Sequence, residues 1–175
     1  MKFKILGFAM VLAVFCWFVW WWVAATAQET ALNQWLNDRR ENGWQAETAD
    51  ISIAGFPNRL DTTLNKPAIA DPASGWAWNA PFLSVFQVIY DPTHFIIVWP
   101  NSQTIAAPGA TATLNAETMR ASVVFTPNSR LEVDRASLEI RGATLEGVEG
   151  WRASATSWIQ HIRRTPDAGP ENAYE

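Results

Sequence analysis

The chain opens with an uncharged apolar run from Ile5 to Ala25, which follows Lys2 and Lys4. At about 1.5 Å per residue, a helix of this length extends roughly 31 Å and matches the hydrocarbon thickness of a bilayer. A helix is also the only single segment that satisfies its own backbone polar groups in lipid. We therefore predict a membrane anchor in residues 1–25, with everything after it held at a membrane surface.

The charges beside the run predict its orientation. Lys2 and Lys4 make the leading end positive, whereas the first residues after the run are polar or acidic, such as Gln28 and Glu29. Positive flanking residues favour the cytoplasmic side of a membrane. We expect a single pass with a cytoplasmic amino terminus and an exported remainder, residues 26–175.

A cluster of indoles closes the run: Trp17, Trp20, Trp21 and Trp22. Indole side chains favour the membrane–water interface, so this cluster is predicted to lie at the outer surface. The alternative is a cleaved signal peptide, because Ala25-Thr26-Ala27 resembles a small-x-small cleavage site. An anchor is favoured, since the apolar run is longer than a typical signal sequence core.

Composition narrows the function of the exported part. The net charge is −4, and removing the two lysines of the leading end leaves −6, which disfavours nucleic-acid binding. The one cysteine, Cys16, lies inside the apolar run, so the exported part has neither a disulfide nor a thiolate. With His94 and His161 as the only histidines, no metal-ligand spacing is present, and no cofactor is expected.

Residues 26–43 are predicted to form a juxtamembrane helix. Ala31, Leu32, Trp35 and Leu36 recur at helical spacing, and Gly43 follows as a C-terminal cap. Two interpretations stay open: a stalk or interfacial helix that continues the anchor, or a helix that covers one end of a sheet.

Residues 44–165 are predicted to form an antiparallel β domain. Alternating apolar residues indicate strands around 44–53 and 60–64, separated by the breaker Gly55-Phe56-Pro57-Asn58. Pro67 and Pro72 bracket a predicted loop, and Trp76 and Trp78 begin the next strand. Further short strands are predicted at 110–116, 120–125, 131–140 and 143–145.

The strongest hairpin is predicted at 82–99. Phe82–Tyr90 and His94–Trp99 flank a predicted turn at Asp91-Pro92-Thr93, and both faces of the hairpin are mostly apolar. The stretch 151–164 fits a helix or a strand, with the strand favoured by the preceding meander. Residues 166–175 form a polar tail whose abrupt end suggests a truncation.

Candidates for catalysis are few, and an enzyme is not expected. His94 could serve as a base, but no Gly-x-Ser-x-Gly elbow accompanies it. His161 is expected to be a solvated residue. Glu132, Asp134 and Glu139 alternate beside arginines, as on an exposed strand face.

Large apolar side chains recur on the predicted strands, and an ordinary core is the simplest explanation. The alternative is an apolar sheet face that binds acyl chains or a partner, with candidates Val85, Phe86, Phe95 and Ile97 in the hairpin.

Three motifs carry a resemblance to a bacterial envelope family, the domain of unknown function 2125. They are Gly-Phe-Pro-Asn-Arg-Leu-Asp at 55–61, Ala-Pro-Phe-Leu at 80–83 and His-Phe-Ile-Ile-Val-Trp-Pro-Asn-Ser-Gln-Thr at 94–104. The structural signature residues are Gly55, Phe56, Pro57, Arg59, Pro81, Phe82, Trp99 and Pro100.

The resemblance implies a curved β-sheet, or an incomplete β-groove, in the periplasm beside the inner membrane. The family is more remotely similar to AsmA-like inner-membrane proteins, whose β-grooves are implicated in moving or sensing lipids. It implies no catalytic residues. The expected partner is membrane lipid, and the alternative is another envelope protein for which the chain is a scaffold or assembly factor.

Overall fold

In the computed structural model, which describes residues 2–127 and 132–165, a single long helix precedes a β-sheet. The helix, α1, runs from Lys2 to Glu41 without a break, so the predicted anchor and juxtamembrane helix are one element. Its apolar part is long enough and apolar enough, with a mean hydropathy of 2.1, to span a membrane. The side chains from Phe3 to Trp20 are exposed.

Gly43 ends the helix, as its position in the sequence predicted. It adopts φ +85°, and the N–H groups of Gly43 and Trp44 donate to the carbonyls of Arg40 and Arg39. Such a left-handed residue is the usual way to satisfy the last carbonyls of a helix. Arg39 and Arg40 occupy the last turn, where positive charge stabilises the helix dipole.

The predicted antiparallel, mainly β architecture is confirmed: the sheet is curled like half of a barrel. In its order, β12 pairs with β11, and the remaining strands follow β1-β4-β5-β8-β9-β11-β10-β7-β6-β3-β2. The strands are β1 Gln45–Glu47, β2 Asp50–Ala54, β3 Arg59–Asn65, β4 Ala68–Asp71, β5 Trp76–Asn79, β6 Phe82–Val88, β7 Asp91–Val98, β8 Ser102–Ala107, β9 Ala110–Asn115, β10 Thr118–Phe125, β11 Val133–Gly147 and β12 Arg152–Arg163.

This order describes a meander of long strands, most of which are bent in the middle. Glu47 pairs with Ala68, and Asp50 pairs with Asn65, so the register is unchanged across the gap between β1 and β2. The same holds on the next strand, where Asn65 pairs with Phe82 and Ala68 pairs with Asn79. Each pair β1/β2, β3/β4, β5/β6, β7/β8 and β9/β10 is therefore one bent strand, whereas β11 continues through the bend.

Prolines interrupt three of the bent strands at the bend: Pro67, Pro81 and Pro100. Proline lacks the N–H that a ladder hydrogen bond requires, so a strand that contains it bends or breaks there. Neighbouring groups keep the sheet joined, since Lys66 N–H donates to the Pro81 carbonyl and Ala80 N–H to the Pro67 carbonyl. In β11 the residue at this level is Gly142, with φ +58°.

The structure corrects several predicted element bounds. The predicted loop after Pro67 contains β4, and β8 at 102–107 was missed altogether. Asp91-Pro92-Thr93 belongs to β7 rather than to a turn, and the predicted strands at 131–140 and 143–145 form the single strand β11. The ambiguous stretch 151–164 is strand, as favoured, and the predicted tail at 166–175 lies outside the described residues.

The core lies between the second half of α1 and the first strands. Leu36 is 2% exposed and Ala46 is fully buried, and the Arg40 guanidinium donates to the Ala46 carbonyl. Two turns earlier in α1, the Gln28 amide donates to the Thr62 hydroxyl at 2.8 Å. The helix therefore covers one end of the sheet, which was one of the two open interpretations.

We predict that Leu36→Ala lowers the free energy of unfolding of the detergent-solubilised protein by about 2–5 kcal/mol, because it leaves a cavity between helix and sheet. Urea titration followed by circular dichroism at a β-sheet wavelength measures this loss. The matched control is Leu12→Ala, at a helix position that is 50% exposed. Equal losses for the two variants would contradict the packing of Leu36 between helix and sheet.

Candidate functional site

One face of the sheet, here called the helix-side face, is almost wholly apolar. It is the face on which Thr62 meets α1, and directly paired residues of antiparallel strands share a face. Pairing across the strands places three rows on it: Leu60, Gln87, Phe95, Val123, Ala136 and Ile162; then Thr62, Val85, Ile97, Ala121, Leu138 and Gln160; then Leu64 and Leu83, with Met119, Ile140 and Trp158. Only Thr62, Gln87 and Gln160 among them are polar.

The helix-side face is only partly covered. Leu60 and Leu64, beside α1, are buried, whereas Val85, Phe95 and Ile97 are half-buried. At the far side, on β12, Trp158 is 57% exposed and Ile162 is 39% exposed. An apolar face that extends this far beyond its covering helix is a candidate binding surface.

The four residues predicted for the apolar face divide between the two faces. Val85, Phe95 and Ile97 lie on the helix-side face, and Phe95 contacts Phe125 edge-on at 5.6 Å between ring centroids. Phe86 pairs with Asp61 and Ile96 on the opposite face, where the Arg59 guanidinium lies over its ring. The sequence pattern predicted the hairpin, but the register of the strands was needed to determine which residues share a face.

The opposite face carries the charged side chains of the sheet, together with apolar residues such as Phe86 and Ile96. Glu139 accepts hydrogen bonds from Arg141, an arginine of the predicted acidic stretch, and from Arg120 on the neighbouring strand β10. The Arg120 hydrogen bond is the main reason that the pKa of the Glu139 carboxyl is lowered, and Arg141 contributes to the same shift. The predicted surface role of these carboxylates is consistent with this arrangement.

The opposite face also joins His94 to a partner that sequence analysis missed. His94 Nε2 lies 2.8 Å from Ser122 Oγ, and Asp91 Oδ2 lies 3.8 Å from His94 Nδ1. Hydrolysis by a Ser–His–Asp group also needs N–H donors that stabilise an oxyanion. Ser122 lies in the middle of β10, whose backbone forms ladder hydrogen bonds with β7 on one side and β11 on the other. Nothing in the sequence spacing could pair residues 28 positions apart.

The turn between β2 and β3 contacts the indole cluster of α1. Trp17 Nε1 donates to the Pro57 carbonyl and Trp21 Nε1 donates to the Arg59 carbonyl, both at 2.8 Å. Phe56 packs edge-on against Phe18 and Trp21, at 5.6 and 5.7 Å between ring centroids. The signature residues of the first motif thus form the joint between the turn and the apolar helix.

The remaining members of the cluster and of the signature have separate places. Trp20 stacks on Trp17 at 5.3 Å, and Trp22 is 58% exposed. Pro81, Phe82, Trp99 and Pro100 lie at or beside the bend of the sheet. Among the described residues, no group of three or more His, Cys, Asp or Glu side chains could hold a metal ion.

Gly55 permits the close turn, and we predict that Gly55→Ala is far more costly than Gly109→Ala. Both glycines have positive φ, but a Cβ at Gly55 would lie 3.0 Å from the Arg59 carbonyl oxygen, whereas one at Gly109 meets no atom within 4 Å. We expect roughly 1–3 kcal/mol of additional loss at Gly55 in urea unfolding, because backbone must move. Equal losses would show that the close approach is unimportant.

The lowered pKa of Glu139 predicts a pH dependence of stability. Its ion pairs stabilise the folded state at pH values above the carboxyl's ordinary pKa of 4.5, and this contribution is lost as the pH falls through the lower folded pKa. Glu139→Gln should therefore flatten the acid side of a stability–pH profile, and Glu149→Gln, in an exposed turn, should leave it unchanged. A profile unaltered by Glu139→Gln would contradict the assignment.

Comparison with known proteins adds a family and no function. No curated protein and no solved structure matches the chain. The family model DUF2125, described as an uncharacterized protein conserved in bacteria, matches residues 21–175, which include the last indoles of the cluster and the whole sheet. On a match of this extent, the chain belongs to the bacterial DUF2125 family.

Proposed function

We propose that this protein is anchored in the bacterial inner membrane by α1 and contacts lipid, or lipidic cargo, through the helix-side face of a periplasmic sheet. The observation that carries the proposal is the extent of that face, which continues over β6, β7, β10, β11 and β12 with few polar residues. Only its first strands meet α1 in the described part of the chain. Lipid is the apolar partner that a membrane anchor brings nearest.

The contacts of α1 support an anchor over a cleaved signal peptide. Cleavage after Ala27 would remove Trp17 and Trp21, and with them the hydrogen bonds that the two indoles donate to the sheet. It would also remove the helical residues that precede Gln28. Such hydrogen bonds to the folded sheet are expected of a segment that stays in the mature protein. The charge of Lys2 and Lys4 supports the cytoplasmic placement of the amino terminus.

We propose that lipid contact takes place without catalysis. The helix-side face presents hydrocarbon side chains, which bind acyl groups but transfer no protons. The charged residues of the opposite face are largely engaged in ion pairs with one another, such as Arg59 with Asp61 and Arg120 with Glu139.

A second candidate function is that of an assembly factor, and the exposed strand β12 favours it. Within the described residues β12 pairs only with β11, and all of its residues are exposed. An uncovered edge offers backbone N–H and C=O groups to a strand of another chain. The Trp158 and Ile159 side chains, each 57% exposed, would add apolar contacts on the two faces.

Photo-crosslinking distinguishes these functions. A photoreactive residue at Val85 or Ile97 should label phospholipid in membranes, because both positions lie on the helix-side face. The matched controls are Ser84 and Val98, which pair with each other on the opposite face of the same strands. Equal labelling from the two faces would contradict lipid contact, and a stoichiometric protein adduct from Gln160 without lipid labelling would favour the assembly factor.

A further inference from the structure

We infer that the turn between β2 and β3 inserts into the membrane interface and forms a second point of contact with the bilayer. The inference rests on the proposed function, since it requires α1 to span the membrane. The turn, Gly55–Asn58, presents Phe56 at 44% exposure although it already packs against α1.

The length of the helix places the turn at this depth. The residues that precede the docking point, Phe3–Cys16, extend about 21 Å as a helix, which is short of the roughly 30 Å needed to cross the hydrocarbon. A spanning α1 must therefore include the residues from Trp17 to about Trp22. The turn is hydrogen-bonded to Trp17 and Trp21, so it lies at the same depth.

Most carbonyls of the turn are hydrogen-bonded within the chain, as a region poor in water requires, because unsatisfied carbonyls are costly there. Pro57 and Arg59 accept hydrogen bonds from the two indoles. The Gly55 carbonyl accepts from Arg59 N–H at 2.9 Å, and the Asn58 carbonyl accepts from Ile89 N–H at 3.0 Å. Four carbonyls at this turn, those of Gly55, Pro57, Asn58 and Arg59, therefore have partners within the chain.

The hydrogen bond from Ile89 N–H to the Asn58 carbonyl places a second turn beside the β2–β3 turn. Ile89 begins the turn between β6 and β7, where Tyr90 is 77% exposed. A phenol favours the interface for the same reason as an indole, since its ring is apolar and its hydroxyl remains hydrated. At the other end of the sheet, the turn between β4 and β5 has the sequence Pro72-Ala73-Ser74-Gly75 with no large apolar residue, although the turn between β11 and β12 at that end exposes Val148.

Fluorescence quenching of the full-length chain tests the inference. In a Cys16→Ser background, the environment-sensitive dye NBD is attached to single cysteines at Asn58→Cys, Tyr90→Cys, Ala73→Cys and Gly7→Cys. Each protein is reconstituted into phosphatidylcholine vesicles that contain a lipid with a nitroxide just below its headgroup. Dyes at 58 and 90 should lose most of their fluorescence, whereas the dye at 73, roughly 40 Å away along the strands, should retain it.

The position of the dye at residue 7 separates the inference from the proposed function. If this dye is quenched while 58 and 90 stay as bright as 73, α1 is inserted in the bilayer but the turn is not, and the inference is overturned. If no dye is quenched, the anchor itself fails.

Discussion

The joint between the indoles of α1 and the first β-turn determines how the whole sheet is placed. Two N–H donors on one helix face, Trp17 and Trp21, reach two carbonyls of one turn, and Phe56 fills the space beside them. At the other end, Leu36 and Arg40 hold the helix against Ala46. A helix held at both ends along the first bent strand cannot swing independently, so the sheet is held at a fixed orientation to the apolar segment.

The bend gives the sheet its curl without loss of pairing. A flat meander of long strands would expose both faces equally, whereas prolines at one level of three successive strands force a common change of direction. Register is preserved between β1/β4 and β2/β3, and between β4/β5 and β3/β6, so the bend changes the direction of these strands without changing their pairing. Between β6/β7 and β5/β8 the register shifts by one residue, at the bend that contains Pro100.

Sequence patterns predicted the parts of this structure that depend on neighbouring residues. The apolar helix, the Gly43 cap, the alternation at 60–64 and the hairpin at 82–99 all arise from local periodicity or turn chemistry. β4 was missed because Ala68–Asp71 lies between prolines, and β8 because Ser102–Ala107 carries small and polar residues; both form because the adjoining strands offer a ladder. The pairing of His94 with Ser122 and of Trp17 with Pro57 depends on tertiary structure, which local spacing does not encode.

The position of the turn also decides how an occupant of the helix-side face would reach it. Phe95, Phe125 and Ile162 lie towards the ends of their strands that share a level with the β2–β3 turn, as the pairing through β6, β7, β10, β11 and β12 requires. If that turn lies in the membrane interface, these side chains lie immediately above the bilayer surface. Toward the opposite end the face becomes less uniform, because Gln103 is buried there and hydrogen-bonds Trp78. An acyl chain bound as proposed would then pass between bilayer and sheet without crossing water, whereas a protein partner on β12 needs no such continuity.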